Sequence, residues 1–317
     1  MTATVIVPTV AGGARLERLL ESLAAQTAPA RTIVVDNGAP DDAVGAVVRR
    51  FAFAEHLRLE ENVGYGRAVN RAAQRSTDDA LVLLNDDCVC QPQFVADLVS
   101  ALRPGDGFVM AAGVLLEAHD HETIDTAGME LDSTLLVFDY LNGMPTSSLG
   151  PNTPNPIGPC AAASAFDRSA FIEVGGFDER LFAYWEDVDL VLRLRHAGAR
   201  CALAPTARGT HEHSATLGSG SSRKNYLTGF GRGYVVRKWN VLASPRRATK
   251  ALVSDTVICA GQLVVDRTLA GTRGRLDGFK AASAVAREPY PDGAATAEGT
   301  FSRRVRRRLR LQHRGSA

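Results

Sequence analysis

Short β-branched runs alternate with helical periods over the first hundred residues. Val5, Ile6 and Val7 form a continuous apolar run of the kind a buried strand shows. Leu16, Leu19, Leu20 and Leu23 then fall at i, i+3, i+4 and i+7, one face of a helix. Residues 33–37 (IVVDN) predict a second strand. Past Pro40, Asp41 and Asp42 sit where a helix N-terminus favours acids, and Val44, Val47, Val48 and Phe51 make the next apolar face. A third strand (57–62, LRLEEN) leads into a Gly-x-Gly turn and a polar helix through Asn70. Residues 80–89 (ALVLLNDDCV) are apolar until they meet their acids, and Phe94, Val95, Leu98, Val99 and Leu102 continue as a helix. Such repeats predict an α/β fold: a Rossmann-like, mostly parallel sheet flanked by helices, with right-handed crossovers.

Ligands of such sheets bind beyond the carboxyl ends of the strands. Polar residues collect there: Thr9 after the first strand, Asp36 and Asn37 at the second, Asn85, Asp86 and Asp87 at the fourth. Adjacent carboxylates repel unless a cation neutralises them, and a hard divalent ion uses one or two carboxylates plus substrate phosphates. The alternative is a turn capped by the two acids before Pro92. Asp36 either accepts hydrogen bonds from a base or closes an Asx-turn with Asn37 and Gly38. Residues 61–70 (ENVGYGRAVN) miss the dinucleotide fingerprint, since its third glycine falls on Val69. They offer either a helix N-terminus to a phosphate or ribose, or an ordinary βα turn.

The middle of the chain reads differently. Residues 117–159 have weak periodicity and five prolines between 145 and 159, which predicts a long loop or flap. Order returns at 160–166, and near 178 a helical segment begins with Val188, Val191 and Leu194 on its apolar face. Glu186, Asp187 and Asp189 are clustered on it directly after Phe182, Tyr184 and Trp185. A solvated helix start seldom follows three large aromatics. Apolar neighbours hold a carboxylate's pKa nearer neutrality, as a general base requires. His211 and His213, in GTHEHSATLG (209–218), either complete a cation's coordination or belong to a surface loop.

Charge divides the chain. The first 240 residues hold 21 Lys/Arg against 29 Asp/Glu, and residues 241–317 hold 15 against 6. The helical, basic extension over 241–317 ends in RRVRRRLRLQHR, with seven arginines in twelve residues. Its expected use is peripheral contact with an anionic membrane surface, where basic residues contribute ~1 kcal/mol each. The acidic body carries no nucleic-acid module, so nucleic acid is not an expected partner. Five cysteines without zinc or CxxC spacing suit a reduced, cytoplasmic protein. No signal peptide is read at Met1, and the most apolar stretch, 251–265, is broken by Asp255 and Gln262.

Taken in order, VIVPT, VVDNG, ENVGYGRAVN, LLNDD, VGGFDERLFAYWEDVDLVLRLRHAG and HEHS resemble the inverting glycosyltransferase family 2, particularly its bacterial rhamnosyltransferase-like and galactofuranosyltransferase-like members. The resemblance covers about residues 3–240. It implies a GT-A fold over a catalytic domain 1–240, followed by the extension 241–317. It also implies that Pro8, Thr9, Asp36, Asn62, Gly64, Gly66, Asn70, Asn85 and Asp86 surround a nucleotide-diphosphate sugar. Asn85 departs from the first Asp of the family's D-x-D element, and Asp87 matches its last. With His211, or alternatively His213, Asp87 would hold Mg²⁺ or Mn²⁺. Asp187 matches the general base, with Glu186 and Asp189 orienting it or binding acceptor hydroxyls beside Trp185.

The activity so implied is metal-dependent transfer of rhamnose or another hexose, from a dTDP- or UDP-linked donor to a hydroxyl of a glycan, lipid-linked or small-molecule acceptor. Two rivals remain at this point. A sugar-nucleotide pyrophosphorylase is suggested by AGGARL (11–16), but Ala14 stands where that class needs a glycine, and the Glu186–Asp189 cluster is left unexplained. A catalytically inactive glycan-binding relative would have no need of Asp87 and Asp187.

Overall fold

The computed structural model describes residues 1–211 and 220–297. They fall into two compact units, 1–129 with 139–211 and 130–138 with 220–297. His213 and the arginine-rich end of the chain lie outside the described residues.

The first unit opens with the expected alternation: β1 Ala3–Thr9, α1 Ala14–Ala24, β2 Arg31–Asn37, α2 Ala43–Val48, β3 Ala54–Leu59, α3 Tyr65–Ala73 and β4 Ala80–Leu84. Leu16, Leu19, Leu20 and Leu23 are all buried, so the period read in the sequence is the face α1 turns to the sheet. All five residues of β4 are inaccessible, as a strand covered on both sides requires. β3, β2, β1 and β4 lie in that order and pair parallel throughout.

Beyond β4 the sheet becomes mixed. The chain runs through β5 Cys88–Cys90, α4 Phe94–Ser100, β6 Phe108–Glu117 and β7 Asp120–Thr126. After β8 Met129–Leu131 and β9 Val137–Asp139 come β10 Ala163–Asp167, α5 Arg168–Glu173, α6 Glu186–His196 and β11 Arg200–His211. β10 joins β4 to β6 antiparallel on both sides, β11 runs parallel to β6, and β5 closes that edge antiparallel to β11. The expectation of a loop over 117–159 is corrected: β7 folds back on β6 as an antiparallel partner, and β8 pairs with β9. Their short, bulged strands carry too little alternation to be read from sequence.

The second unit holds α7 Ser222–Lys238, α8 Pro245–Val265 and α9 Ala270–Ala281, together with the hairpin tip 130–138. Its helical part begins at residue 220. α7 and α9 touch backbone to backbone: a Cβ on Gly233 would lie 2.0 Å from the Arg275 carbonyl oxygen. α8 is longer than the apolar stretch read in the sequence, with a mean hydropathy of 1.3 over its best eighteen-residue window. By length and composition it could cross a membrane.

Candidate active site

The carboxyl ends of β1, β2 and β4 bring the expected rim residues together. The Thr9 hydroxyl donates to Asp86 Oδ2 at 2.5 Å, and Asp86 borders a cavity of about 270 Å³ lined also by Ala11, Gly12, Ala14 and Arg15. Burial raises the Asp86 pKa, with the Thr9 hydrogen bond opposing it and the Asp87 carboxylate adding to it. Arg15 lowers it, a cation at this rim to which the sequence analysis gave no role. Asn85, partly exposed, turns its backbone carbonyl to the Cys88 N–H and so makes the sharp corner that presents both acids.

Asp36 is fully buried, accepts the Ala39 N–H at 2.9 Å and meets His56 Nε2 at 3.2 Å. The bond to Ala39 closes the turn that follows β2. Asn37 is tied to the next loop, receiving the Val63 N–H and donating to Asn62 Oδ1. Asn62 is exposed, beside Gly64. Gly64 has φ +90°, and a Cβ there would lie 2.4 Å from the Phe182 carbonyl oxygen. A Cβ on Gly66 would lie 2.7 Å from the Cβ of Phe177. Both glycines are thus demanded by packing against the segment before α6. Asn70 is also buried and grips the Phe177 backbone through both its N–H and its carbonyl. Pro8 is partly buried on β1.

The metal-ligating candidates meet because of strand register. β11 ends with His211 opposite Cys88, and Glu117 of β6 lies opposite His211 on its other side. His211 Nε2 consequently lies 3.2 Å from Asp87 Oδ1, and its Nδ1 lies 3.0 Å from Asp125 Oδ2. Asp87 Oδ1 is buried and has no hydrogen-bond partner among the described residues, since His211 is within ion-pair distance but not aligned. Burial opposes protonation of His211, yet Asp125 and Asp87 outweigh it and lift its pKa to about 9. A carboxylate fixing one imidazole nitrogen while the other faces a second carboxylate is the arrangement that orients a histidine ligand. Cys88 Sγ is also nearby, but its thiol donates to the Ala162 carbonyl, and burial raises its pKa far from ionisation. One oxygen and one nitrogen remain, which fits a hard divalent ion that takes its other ligands from substrate phosphates and water. Asp125 was missed by sequence reading: it is one of several polar residues of β7, inside the stretch read as a flap.

α6 begins with Glu186 directly after two residues in the left-handed region, Tyr184 at φ 68° and Trp185 at φ 74°. Such conformations cost ~1–3 kcal/mol each for residues with a side chain and cluster at functional sites. Here they turn the chain so that three acids enter one helical turn. Each acid then meets a different environment. Asp189 is fully buried, accepts from Arg193 Nε at 2.9 Å, and Arg193 in turn donates to the Val174 and Gly176 carbonyls. Asp189, expected to orient the base or bind acceptor hydroxyls, is thereby tied through Arg193 to the loop before Phe177. Trp185, 5% exposed, is buried in the core and offers no open ring face to a sugar.

Glu186 is buried, and its Oε2 finds no hydrogen-bond partner among the described residues. Burial and the neighbouring Asp187 charge push its pKa to about 8. Asp187 is the one of the three that reaches solvent, and its Oδ1 accepts the Val188 N–H at 2.8 Å. Burial raises its pKa too; the Val188 and Ala161 N–H groups pull it back and Asp139 raises it again. Glu186 is the deeper of the two, and burial raises both acids, Glu186 further by the Asp187 charge. Tyr65 donates to the Ala161 carbonyl at 3.0 Å and lies close enough to both carboxylates for them to raise its pKa further.

Residues 4–174 match the family model for glycosyl transferase family 2. The chain belongs to that family. As a family 2 enzyme it is a nucleotide-sugar glycosyltransferase, which removes the pyrophosphorylase alternative. It is 31% identical over 246 residues to an N-acetylglucosaminyl-diphospho-decaprenol L-rhamnosyltransferase of Mycobacterium tuberculosis, a match covering 68% of this chain and 77% of that one. A pre-mycofactocin glycosyltransferase of the same organism is 28% identical over 74% of this chain and 47% of its own. Among solved structures, GalNAc-T7 with UDP, GalNAc and Mn²⁺ superposes with a TM-score of 0.60 at 17% identity, over 75% of this chain and 48% of that chain. The mannosyltransferase PcManGT of Pyrobaculum calidifontis, with GDP-Man and Mn²⁺, gives 0.51 at 17% identity, over 89% and 86%. These two likenesses establish the GT-A fold.

Proposed function

We propose that this glycosyltransferase transfers its sugar with inversion, with Asp187 as general base and Asp87 and His211 as the protein ligands of a divalent cation. The observation that carries the reading is the separation of two kinds of acid. Asp187 is raised in pKa and partly exposed, whereas Asp87 lies 3.2 Å from a histidine that Asp125 orients. The cation, Mg²⁺ or Mn²⁺, supplies positive charge where the departing diphosphate develops negative charge. Asp187 takes the acceptor hydroxyl proton as that oxygen attacks the anomeric carbon from the face opposite the diphosphate. Protonated Glu186 keeps a second charge away from the base. Thr9 and Asp86 close the donor side beneath Arg15.

The donor under this reading is a dTDP- or UDP-linked sugar. L-Rhamnose is the first sugar to test, because the Mycobacterium tuberculosis relative is named an L-rhamnosyltransferase. That same name makes a sugar linked through diphosphate to a polyprenol the favoured acceptor, ahead of free glycans and small molecules. A cytoplasmic enzyme working peripherally on the inner membrane face follows from such an acceptor. The deciding experiment is a screen of nucleotide sugars for acceptor-dependent release of nucleoside diphosphate, with and without EDTA, using Asp187→Asn beside the parent. Undiminished transfer by Asp187→Asn refutes the base assignment. No release from any donor would favour an inactive glycan-binding relative.

A further inference from the structure

α8 is built inside out. At about 100° per residue, Leu252, Val253, Val257, Leu263 and Val264 share an arc of about 140°, and all five are exposed, Leu252 to 71% and Val264 to 76%. An ordinary surface helix turns such residues inward and its charges outward. Here the one charged residue between 251 and 265, Asp255, points the other way, receiving Arg232 Nε at 3.2 Å and Arg275 Nε at 3.1 Å. Ser254 is buried on that inner side, and Gln262 donates to Asn225 there. Polar groups fasten the helix to its unit, and its apolar side is left outward.

The first turn carries a second departure from expectation. Arg246, Arg247 and Lys250 stand at the N-terminal end, where the helix dipole disfavours cations, and no acid accompanies them. Arg247 packs over the Tyr290 ring at 3.7 Å, and Lys250 Nζ donates to Ser133 Oγ at 3.1 Å. Arg246 and Lys250 are exposed and lie on the same side as Val257 and Val264. An apolar arc continuous with cations fits one partner chemistry, a lipid surface with anionic headgroups. A second copy of this face would bring no acid to meet those cations, because the outer side of α8 has none. A membrane-spanning pose would strip Asp255 from Arg232 and Arg275.

We infer that α8 lies flat on an anionic bilayer, Leu252, Val253, Val257, Leu263 and Val264 entering the acyl boundary and Arg246 and Lys250 meeting phosphates. The inference needs no donor or acceptor, so it stands or falls separately from the reaction proposed above. The test is flotation of the full chain with vesicles of phosphatidylcholine alone and with a quarter phosphatidylglycerol. The parent floats with the anionic vesicles. The triple variant Leu252→Gln, Val257→Gln, Val264→Gln loses at least about tenfold in partitioning, with its melting curve and donor turnover unchanged. Arg246→Gln with Lys250→Gln weakens anionic binding several-fold and leaves neutral binding as it was, a second readout should the triple variant misfold. Four results overturn the inference: a parent that does not float; a well-folded triple variant that floats equally; a parent dimer in sedimentation velocity that the triple variant abolishes; and a parent that resists alkaline carbonate extraction.

Discussion

Glu186→Gln should change how stability depends on pH, and the size follows from the environment of that carboxyl. Buried without a partner for Oε2 and next to Asp187, Glu186 has its pKa lifted from 4.5 to about 8. An acid raised in the folded state favours folding while protonated. Its contribution is fully present below pH 4.5 and is lost as pH climbs toward 8. Between pH 5 and pH 9 this one group removes ~4 kcal/mol of stability, most of it before pH 7. Over a chain of this length that corresponds to roughly 6 °C in melting temperature. Glutamine cannot ionise. Any cost of its own unpaired amide, ~1–3 kcal/mol, is the same at both pH values and cancels in the comparison. Melting curves of parent and variant at pH 5, 7 and 9 supply the measurement: the parent should lose ground to Glu186→Gln as pH rises. Parallel changes in the two proteins, agreeing within about 1 kcal/mol, would show that Glu186 is not held protonated and that Asp187 does not carry the charge of the pair alone.

Three further outcomes separate the acids by role. Asp187→Asn should cost ~10²–10⁴ in kcat while leaving the melting temperature level or higher, since it removes one of two adjacent carboxylates whose ionisation burial opposes; kinetics and calorimetry on one preparation check both halves. Asp189→Ala should do the reverse. It strands Arg193 without its ion pair and costs ~3–5 kcal/mol of stability, visible in urea unfolding. Asp125→Asn, which loosens His211, should weaken Mn²⁺ by ~10–100-fold, read from the metal concentration that restores half the activity after EDTA.

What the sequence disclosed depended on range. The first four strands and three helices were legible because each is written locally: Leu16, Leu19, Leu20 and Leu23 need no other part of the chain to declare a face. Asp87 and Asp187 were legible as acids in unusual company. Their division of labour with Glu186, Asp86 and Asp189 was not, because it is decided by burial and by which groups packing brings to each acid. Asp189 looks like its neighbours until the geometry places Arg193 and two carbonyls around it. Asn70 resembles a ligand-binding amide until Phe177, 107 residues on, takes both its bonds. Asp125 gave no signal at all, since β7 becomes a strand only by pairing with β6, and only β6 and β11 bring it to His211.

The hairpin tip 130–138 belongs to the second unit although it lies within the span of the first. Synthesis runs from N- to C-terminus, so Leu131, Thr134 and Leu135 emerge long before their burial can be completed. Arg232, which receives the Thr134 carbonyl and hydroxyl as its acceptors, follows 98 residues later. Residues 296 and 297, whose N–H groups donate to the Leu131 carbonyl, arrive later still. At ~5–20 residues per second, the tip waits on the order of ten seconds with its leucines uncovered. A cut after residue 219 would make that waiting state permanent. A truncated catalytic half is therefore expected to aggregate through this hairpin even though every acid of its active site is present.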